Sequence, residues 1–152
     1  MVLSRLCCLI VAAAVLTALS SCGLTGGRDE AQDLADRYFA ASEKGDYESI
    51  LALYSPKFLA QTSREDIRTF LVNVHHRCGV PVSHTLQSWR IFSDFSSGST
   101  QVDLLYNVSY SRCRMSERIL VLRPSGEKAQ ILGHHLNVIS ESPSQGRDFT
   151  TT

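Results

Sequence analysis

The feature that most constrains the fold of this chain is a change in the spacing of its apolar residues near residue 80. Before that point, apolar residues recur at intervals of three and four, which is typical of amphipathic helices. After it, they alternate with polar residues over strand lengths, most clearly at 102–110. Helices followed by a run of strands indicate an α+β domain.

The first half predicts three helices. The first carries apolar positions from Ala31 to Phe39 and stops at Gly45, a residue that suits a helix C-terminus. Asp46 is placed to cap a short second helix, and Ser63 to cap a third. The apolar stripe of the third helix comprises Ile67, Phe70, Leu71 and Val74.

The second half predicts four strands joined by short turns, at 84–92, 100–112, 117–123 and 130–139. The short links favour an antiparallel sheet. Within the second strand, Asp103 lies on the polar face, where we expect it to meet solvent or a partner on a neighbouring strand.

The N-terminal segment contains one basic residue, Arg5, followed by an apolar stretch from Leu6 to Leu19. This stretch has the length of a signal-peptide core and is short for a membrane span. The sequence Leu19-Ser20-Ser21-Cys22 resembles the lipobox of bacterial lipoproteins. The resemblance implies that residues 1–21 are a signal peptide and that Cys22 is acylated.

The resemblance to lipoproteins also implies a location. An acylated Cys22 would anchor the chain to a membrane through lipid, and Gly23 in place of an aspartate favours the outer membrane, facing the periplasm, in a diderm cell. Residues 22–28 are predicted to be the acylated cysteine and a flexible tether, 29–139 the folded domain, and 140–152 a disordered tail.

Charge and cysteine content narrow the function further. The chain has 15 basic and 15 acidic residues, and Arg5 is the one charged residue that cleavage of the signal peptide would remove. The net charge of the mature chain would therefore stay close to zero, so neither a nucleic-acid footprint nor a polybasic membrane patch is present. Of five cysteines, Cys78 and Cys113 remain in the domain. In an oxidising compartment we expect them to form a disulfide; two free thiols are the alternative.

Two stretches resemble the nuclear transport factor 2-like, or cystatin-like, superfamily. The first runs from Ala35-Asp36-Arg37-Tyr38-Phe39 through Lys44-Gly45-Asp46-Tyr47 to Leu53-Tyr54-Ser55, and the second is the closing hairpin from Ser116 to His134. The resemblance implies three N-terminal helices packed in a curved, cone-shaped, four-stranded antiparallel sheet. Some members are isomerases or dehydratases, many only bind ligands, and many dimerise through the sheet.

Candidate site residues come from the pattern of the strands. His134 lies on the same face of the last strand as Leu132 and Leu136, so it either faces the pocket of the cone or is a core residue with satisfied hydrogen bonds. Tyr106 and Tyr110 lie on the apolar face of the second strand. Trp89 is expected to line a pocket or a dimer surface.

Metal and cofactor sites are not predicted. His75 and His76 end the third helix, where the helix dipole favours histidine without any ligand. No spacing matches a known set of metal ligands, and no nucleophile motif or phosphate-binding loop is present.

The sequence leaves three functions open. The favoured one is a non-enzymatic envelope lipoprotein that binds a small apolar ligand or a protein partner. The second is a component of a larger envelope complex, and a homodimer through the sheet is compatible with either. The third is an isomerase or dehydratase with His134 as general base and Tyr106 or Tyr110 as hydrogen-bond donor.

Overall fold

The computed structural model describes residues 22–94 and 96–141. Within these residues four helices precede four strands, one helix more than the sequence predicts, in the order expected of the α+β fold. In chain order the elements are α1 (Cys22–Glu43), α2 (Tyr47–Leu51), α3 (Pro56–Leu59), α4 (Arg64–Cys78), β1 (Pro81–Asp94), β2 (Ser99–Tyr110), β3 (Cys113–Arg123) and β4 (Gln130–Glu141). Within the described residues, none of the helices combines the length and the apolar character that crossing a membrane requires.

Local hydrogen bonds explain where the helices begin and end. The Asp46 carboxylate accepts a hydrogen bond from the amide of Ser49, and the Ser63 hydroxyl accepts one from the amide of Asp66, as the predicted caps require. Gly79 follows α4 with a φ of 78°, a conformation that costs glycine little. α3 is a single turn with Pro56 at its start.

The four strands form one antiparallel sheet in the order β1-β2-β3-β4. The inner face of the sheet carries the alternating residues predicted for β2, all of them buried, together with matching positions on β3. α1 packs against this face and contacts β1, β2 and β3. The core inside the sheet includes Leu34, Tyr38, Ile50, Leu104, Ile119 and Ile131.

The predicted disulfide is present and links the helical layer to the sheet. It joins Cys78 at the end of α4 to Cys113 at the start of β3, with the two Cα atoms 5.0 Å apart. Both cysteines are buried. The bond fixes the end of α4 against the turn between β2 and β3, where the amide of Arg112 also donates to the carbonyl of Cys78.

Two predictions about α1 and α4 need correction. Residues 22–28 are helical and form the first turns of α1, whereas the sequence predicts a flexible tether there. The three glycines of that stretch disfavour a helix locally, but Gly27 lies buried against Thr100, so tertiary packing opposes that preference. Phe70, predicted to belong to the apolar stripe of α4, is instead about half exposed because Ile67 and Leu71 face the core.

The ends of the domain differ slightly from prediction. β1 begins three residues before the predicted strand and ends two after it, and β4 extends to Glu141, two residues beyond the predicted domain boundary. The predicted signal peptide, 1–21, and most of the predicted disordered tail lie outside the described residues.

Candidate functional site

An irregularity in β4 determines which side chains of this strand enter the core. Leu120 pairs with Gly133, but the next residue of β3, Val121, pairs with Ile131, so Leu132 is an extra residue in β4. Ile131 and His134 therefore both point inward, although they would lie on opposite faces of a regular strand. Leu132 does not share the inward position of Ile131, which corrects its predicted place beside His134.

His134 belongs to a chain of hydrogen bonds inside the cone, centred on Glu117 of β3. The hydroxyl of Tyr110 donates to Oε1 of Glu117 over 2.6 Å. Nε2 of His134 lies 3.2 Å from Oε2 of the same carboxylate, and Nδ1 of His134 lies 2.8 Å from the hydroxyl of Tyr54. We call these four residues the Glu117 network.

The position of Tyr54 follows from the backbone around it. The amide of Ser55 donates to the carbonyl of Ile131, and the amide of Ile131 donates to the carbonyl of Leu53. These two bonds form an isolated parallel bridge that holds Tyr54 beside β4. The tyrosine ring then stacks on Phe58 of α3 and its hydroxyl reaches His134.

One protonation pattern satisfies every polar atom of the Glu117 network. With the histidine proton on Nε2, His134 donates to the Glu117 carboxylate and accepts from Tyr54 at Nδ1, while Tyr110 donates to the other carboxylate oxygen. Burial and the nearby Glu117 carboxylate raise the pKa values of Tyr54 and Tyr110 above the usual range. Both phenols are therefore neutral donors at physiological pH.

Two more tyrosines complete the polar part of the cone. The ring of Tyr38 meets the His134 ring edge to face, with centroids 4.8 Å apart, and burial is the main cause that raises its pKa. Tyr106 packs against Phe39, and burial raises its pKa to about 12. The hydroxyls of Tyr38 and Tyr106 are buried without a hydrogen bond of normal geometry, which is uncommon for groups of this kind.

The side chains of the Glu117 network are almost entirely buried. Glu117 is 0% exposed and the side chain of His134 is 3% exposed. Tyr38, Tyr54 and Tyr110 are also buried. His134 also borders a depression of about 540 Å³ together with Phe70 and Leu136, but both of its ring nitrogens are bonded within the network. In this conformation the ring has no nitrogen left to act as a base on a substrate.

The other predicted site residues do not join this cluster. Trp89 is 44% exposed on β1, where the guanidinium of Arg28 lies 5.0 Å from the centre of its ring, so it does not line the interior of the cone. His75 binds the hydroxyls of Ser42 and Tyr47 and thus connects α4 to α1 and α2. Among residues 22–94 and 96–141, no group of three or more histidines, cysteines or acids is arranged to hold a metal ion.

Sequence reasoning missed Glu117 and Tyr54. A signal for Glu117 exists, because it shares the inward spacing of Ile119 and Val121, and a charged residue in such a position requires buried partners. No comparable signal exists for Tyr54, whose contact with His134 spans 80 positions of sequence and depends on the bridge to β4.

Comparisons with known proteins bear on the fold. A protein from Catenulispora acidiphila is 16% identical, with a TM-score of 0.53 over 76% of this chain and 93% of that one. A Bdellovibrio bacteriovorus protein is also 16% identical, with a TM-score of 0.51 over 74% of this chain and 41% of that longer one. A Streptomyces avermitilis protein of the NTF2-like family is 10% identical, with a TM-score of 0.48 over 74% of this chain and 95% of that one.

Neither a family model nor a curated protein sequence matches this chain. At these identities the solved structures inform about the fold alone. The element order and the single antiparallel sheet packed around α1 agree with the α+β fold predicted from the sequence. The chain therefore folds as an α+β domain with one four-stranded antiparallel sheet.

Proposed function

We propose that this protein is a cell-envelope lipoprotein whose domain is a non-enzymatic binding module held at a membrane by lipid. The sequence Leu19-Ser20-Ser21-Cys22 supports the lipid anchor. The disulfide between Cys78 and Cys113 supports a location outside the cytoplasm, because such bonds persist in oxidising compartments.

The observation that carries the non-enzymatic part of the proposal is the closed Glu117 network. The functional groups that an isomerase or dehydratase of this fold would need are buried and bonded to one another. Polar groups in this state stabilise and orient a core instead of meeting a substrate. The fold then serves as a scaffold, and binding takes place on its outer surfaces.

Metabolic labelling with palmitate tests the lipid anchor. Replacing Cys22 with Ser should abolish incorporation and leave the chain uncleaved, because the thiol that receives the lipid is absent. A matched control replaces Cys7 and Cys8 with Ser, which removes two thiols from the same N-terminal region and should leave labelling intact. Labelling that survives Cys22→Ser would contradict the proposal.

Native mass spectrometry of the full chain, released from detergent, tests the binding role. A small molecule bound in a fixed ratio would support a ligand-binding module, whereas a partner protein retained in a fixed ratio would support docking in an envelope complex. A constant rate of turnover of a hydroxy-acid or enone substrate, lost in His134→Ala, would contradict the non-enzymatic assignment.

A further inference from the structure

The outer face of the sheet contains a carboxylate that is unusually buried for its position. Asp103 of β2 is 7% exposed, although it points away from the core. Arg118 of β3 covers it: Nε and Nη2 of the guanidinium donate to the two carboxylate oxygens. This bidentate contact fixes the plane of the Arg118 guanidinium, while the Arg118 side chain remains 55% exposed.

A second arginine lies next to this pair. Arg90 of β1 is the direct cross-strand neighbour of Asp103. Within residues 22–94 and 96–141, the side chain of Arg90 forms neither a hydrogen bond nor an ion pair. Arg118 therefore neutralises the Asp103 carboxylate, and the positive charge of Arg90 on the neighbouring strand is not neutralised.

These residues line a groove of about 240 Å³, formed by Ser88, Arg90, Asp103, Leu105 and Arg118. A neighbouring depression of about 540 Å³ shares Leu105 and Arg118 and reaches β4 and α4; its other lining residues are Phe70, Ser116, His134, His135, Leu136 and Asn137. The two arginines thus lie beside an apolar side chain, Leu105, which lines both depressions.

We propose that this outer groove binds a small oxyanion, a carboxylate or a phosphate monoester, that bears a short apolar tail. Of the five N–H donors of Arg118, Asp103 uses two, so about three remain for a ligand, and Arg90 contributes all of its own. The apolar tail would lie on Leu105. This proposal rests on the binding role proposed above and gives that role a site and a ligand chemistry.

The ion pair between Asp103 and Arg118 holds the Arg118 guanidinium in one orientation. An exposed arginine loses side-chain freedom when it binds an anion, and this loss weakens surface ion pairs. Arg118 has already lost that freedom to Asp103, so its remaining donors are oriented before the ligand arrives. Arg90 supplies the charge that the aspartate does not cancel.

Titrations of the full chain in nonionic detergent test the site, with the Nε–H signals of the two arginines followed by NMR. The probes are butyl phosphate, butyrate, inorganic phosphate and the uncharged butanol. We expect saturable shifts of the Arg90 and Arg118 signals with butyl phosphate or butyrate, and the stronger of the two identifies the headgroup. Inorganic phosphate should bind about tenfold more weakly than butyl phosphate, and butanol should not bind.

Variants separate a specific site from general charge. Arg90→Gln and Arg118→Lys should each weaken binding about tenfold, since the first removes the free charge and the second removes the planar donor set. Arg114→Gln is the matched control, because Arg114 lies on the same strand, outside the groove, and its loss should change affinity less than about twofold.

Three results would overturn the inference. The first is the absence of a saturable shift with any anion, and the second is an equal loss of affinity in Arg114→Gln and Arg90→Gln. The third is a dimer in sedimentation whose arginine signals do not respond to anions, because a second copy would then cover the groove. None of these results affects palmitate labelling at Cys22, so failure of this site is distinguishable from failure of the proposed anchor.

Discussion

Replacing Glu117 with Gln should destabilise the domain measurably although the side chains have the same shape. The carboxylate accepts from Tyr110 over 2.6 Å and from His134 over 3.2 Å. A carboxamide has one oxygen that accepts and an NH₂ group that donates, so one buried donor loses its acceptor. That donor is Nε2–H of His134 or, if the ring changes tautomer to accept from the amide, the hydroxyl of Tyr54. An unsatisfied buried donor costs about 1–3 kcal/mol. At roughly 3–5 °C per kcal/mol for a domain of this size, the Tm should fall by roughly 3–15 °C.

Chemical denaturation followed by far-UV circular dichroism measures this change in the free energy of unfolding. Glu117→Ala removes both acceptors and should cost about 3–5 kcal/mol, whereas Glu127→Gln in the exposed β3–β4 turn should cost less than about 0.5 kcal/mol. Adding Tyr110→Phe to Glu117→Gln should recover part of the loss, because it removes one of the competing donors.

Two results would refute the reasoning about Glu117. If Glu117→Gln equals or exceeds the wild-type stability, the cost of removing the carboxylate from water outweighs its hydrogen bonds. If the losses in Glu117→Gln and Tyr110→Phe simply add, then the two groups are not coupled, although the Tyr110 hydroxyl contacts the carboxylate.

The disulfide and the buried phenols give two further predictions. Replacing Cys78 and Cys113 together with Ser should lower the free energy of unfolding by about 3–4 kcal/mol, measured by urea denaturation, because the bond closes a 35-residue separation; a loss below about 1 kcal/mol would contradict this. The folded-state pKa values of Tyr38, Tyr54 and Tyr110 are raised above 10.0. The contribution of these neutral phenols to the free energy of unfolding should therefore be fully present below pH 10 and fall as the pH rises further. Absorbance at 295 nm should show these phenols ionising together with unfolding, and smooth ionisation of a still-folded chain near pH 10 would contradict it.

Features that depend on neighbouring residues were predictable from the sequence. The caps at Asp46 and Ser63 and the end of α4 at Gly79 follow from hydrogen bonds and backbone angles within a few residues. The pairing of Cys78 with Cys113 followed from counting the cysteines that processing would leave. The helix caps depend on residues close in sequence, and two remaining cysteines allow one intramolecular pairing. The sequence was therefore sufficient to predict both.

Features of the candidate site depend on contacts between distant parts of the chain. Periodicity places His134 on the inner face, but its partners Tyr54 and Glu117 are 80 and 17 positions away. The outer groove likewise needs the register that puts Arg90 beside Asp103 and Arg118 over it. A pattern read along one strand does not contain the register between strands.

The sequence by itself determined the α+β class and the order of helices before strands, because the spacing of apolar residues encodes these directly. Only the tertiary structure decided that the cone is closed. One extra residue in β4 turns Ile131 and His134 to the same side, and the Glu117 carboxylate then binds the histidine inside a core without solvent. Such a network forms because a buried charge must find partners from whatever strands and helices the fold brings beside it.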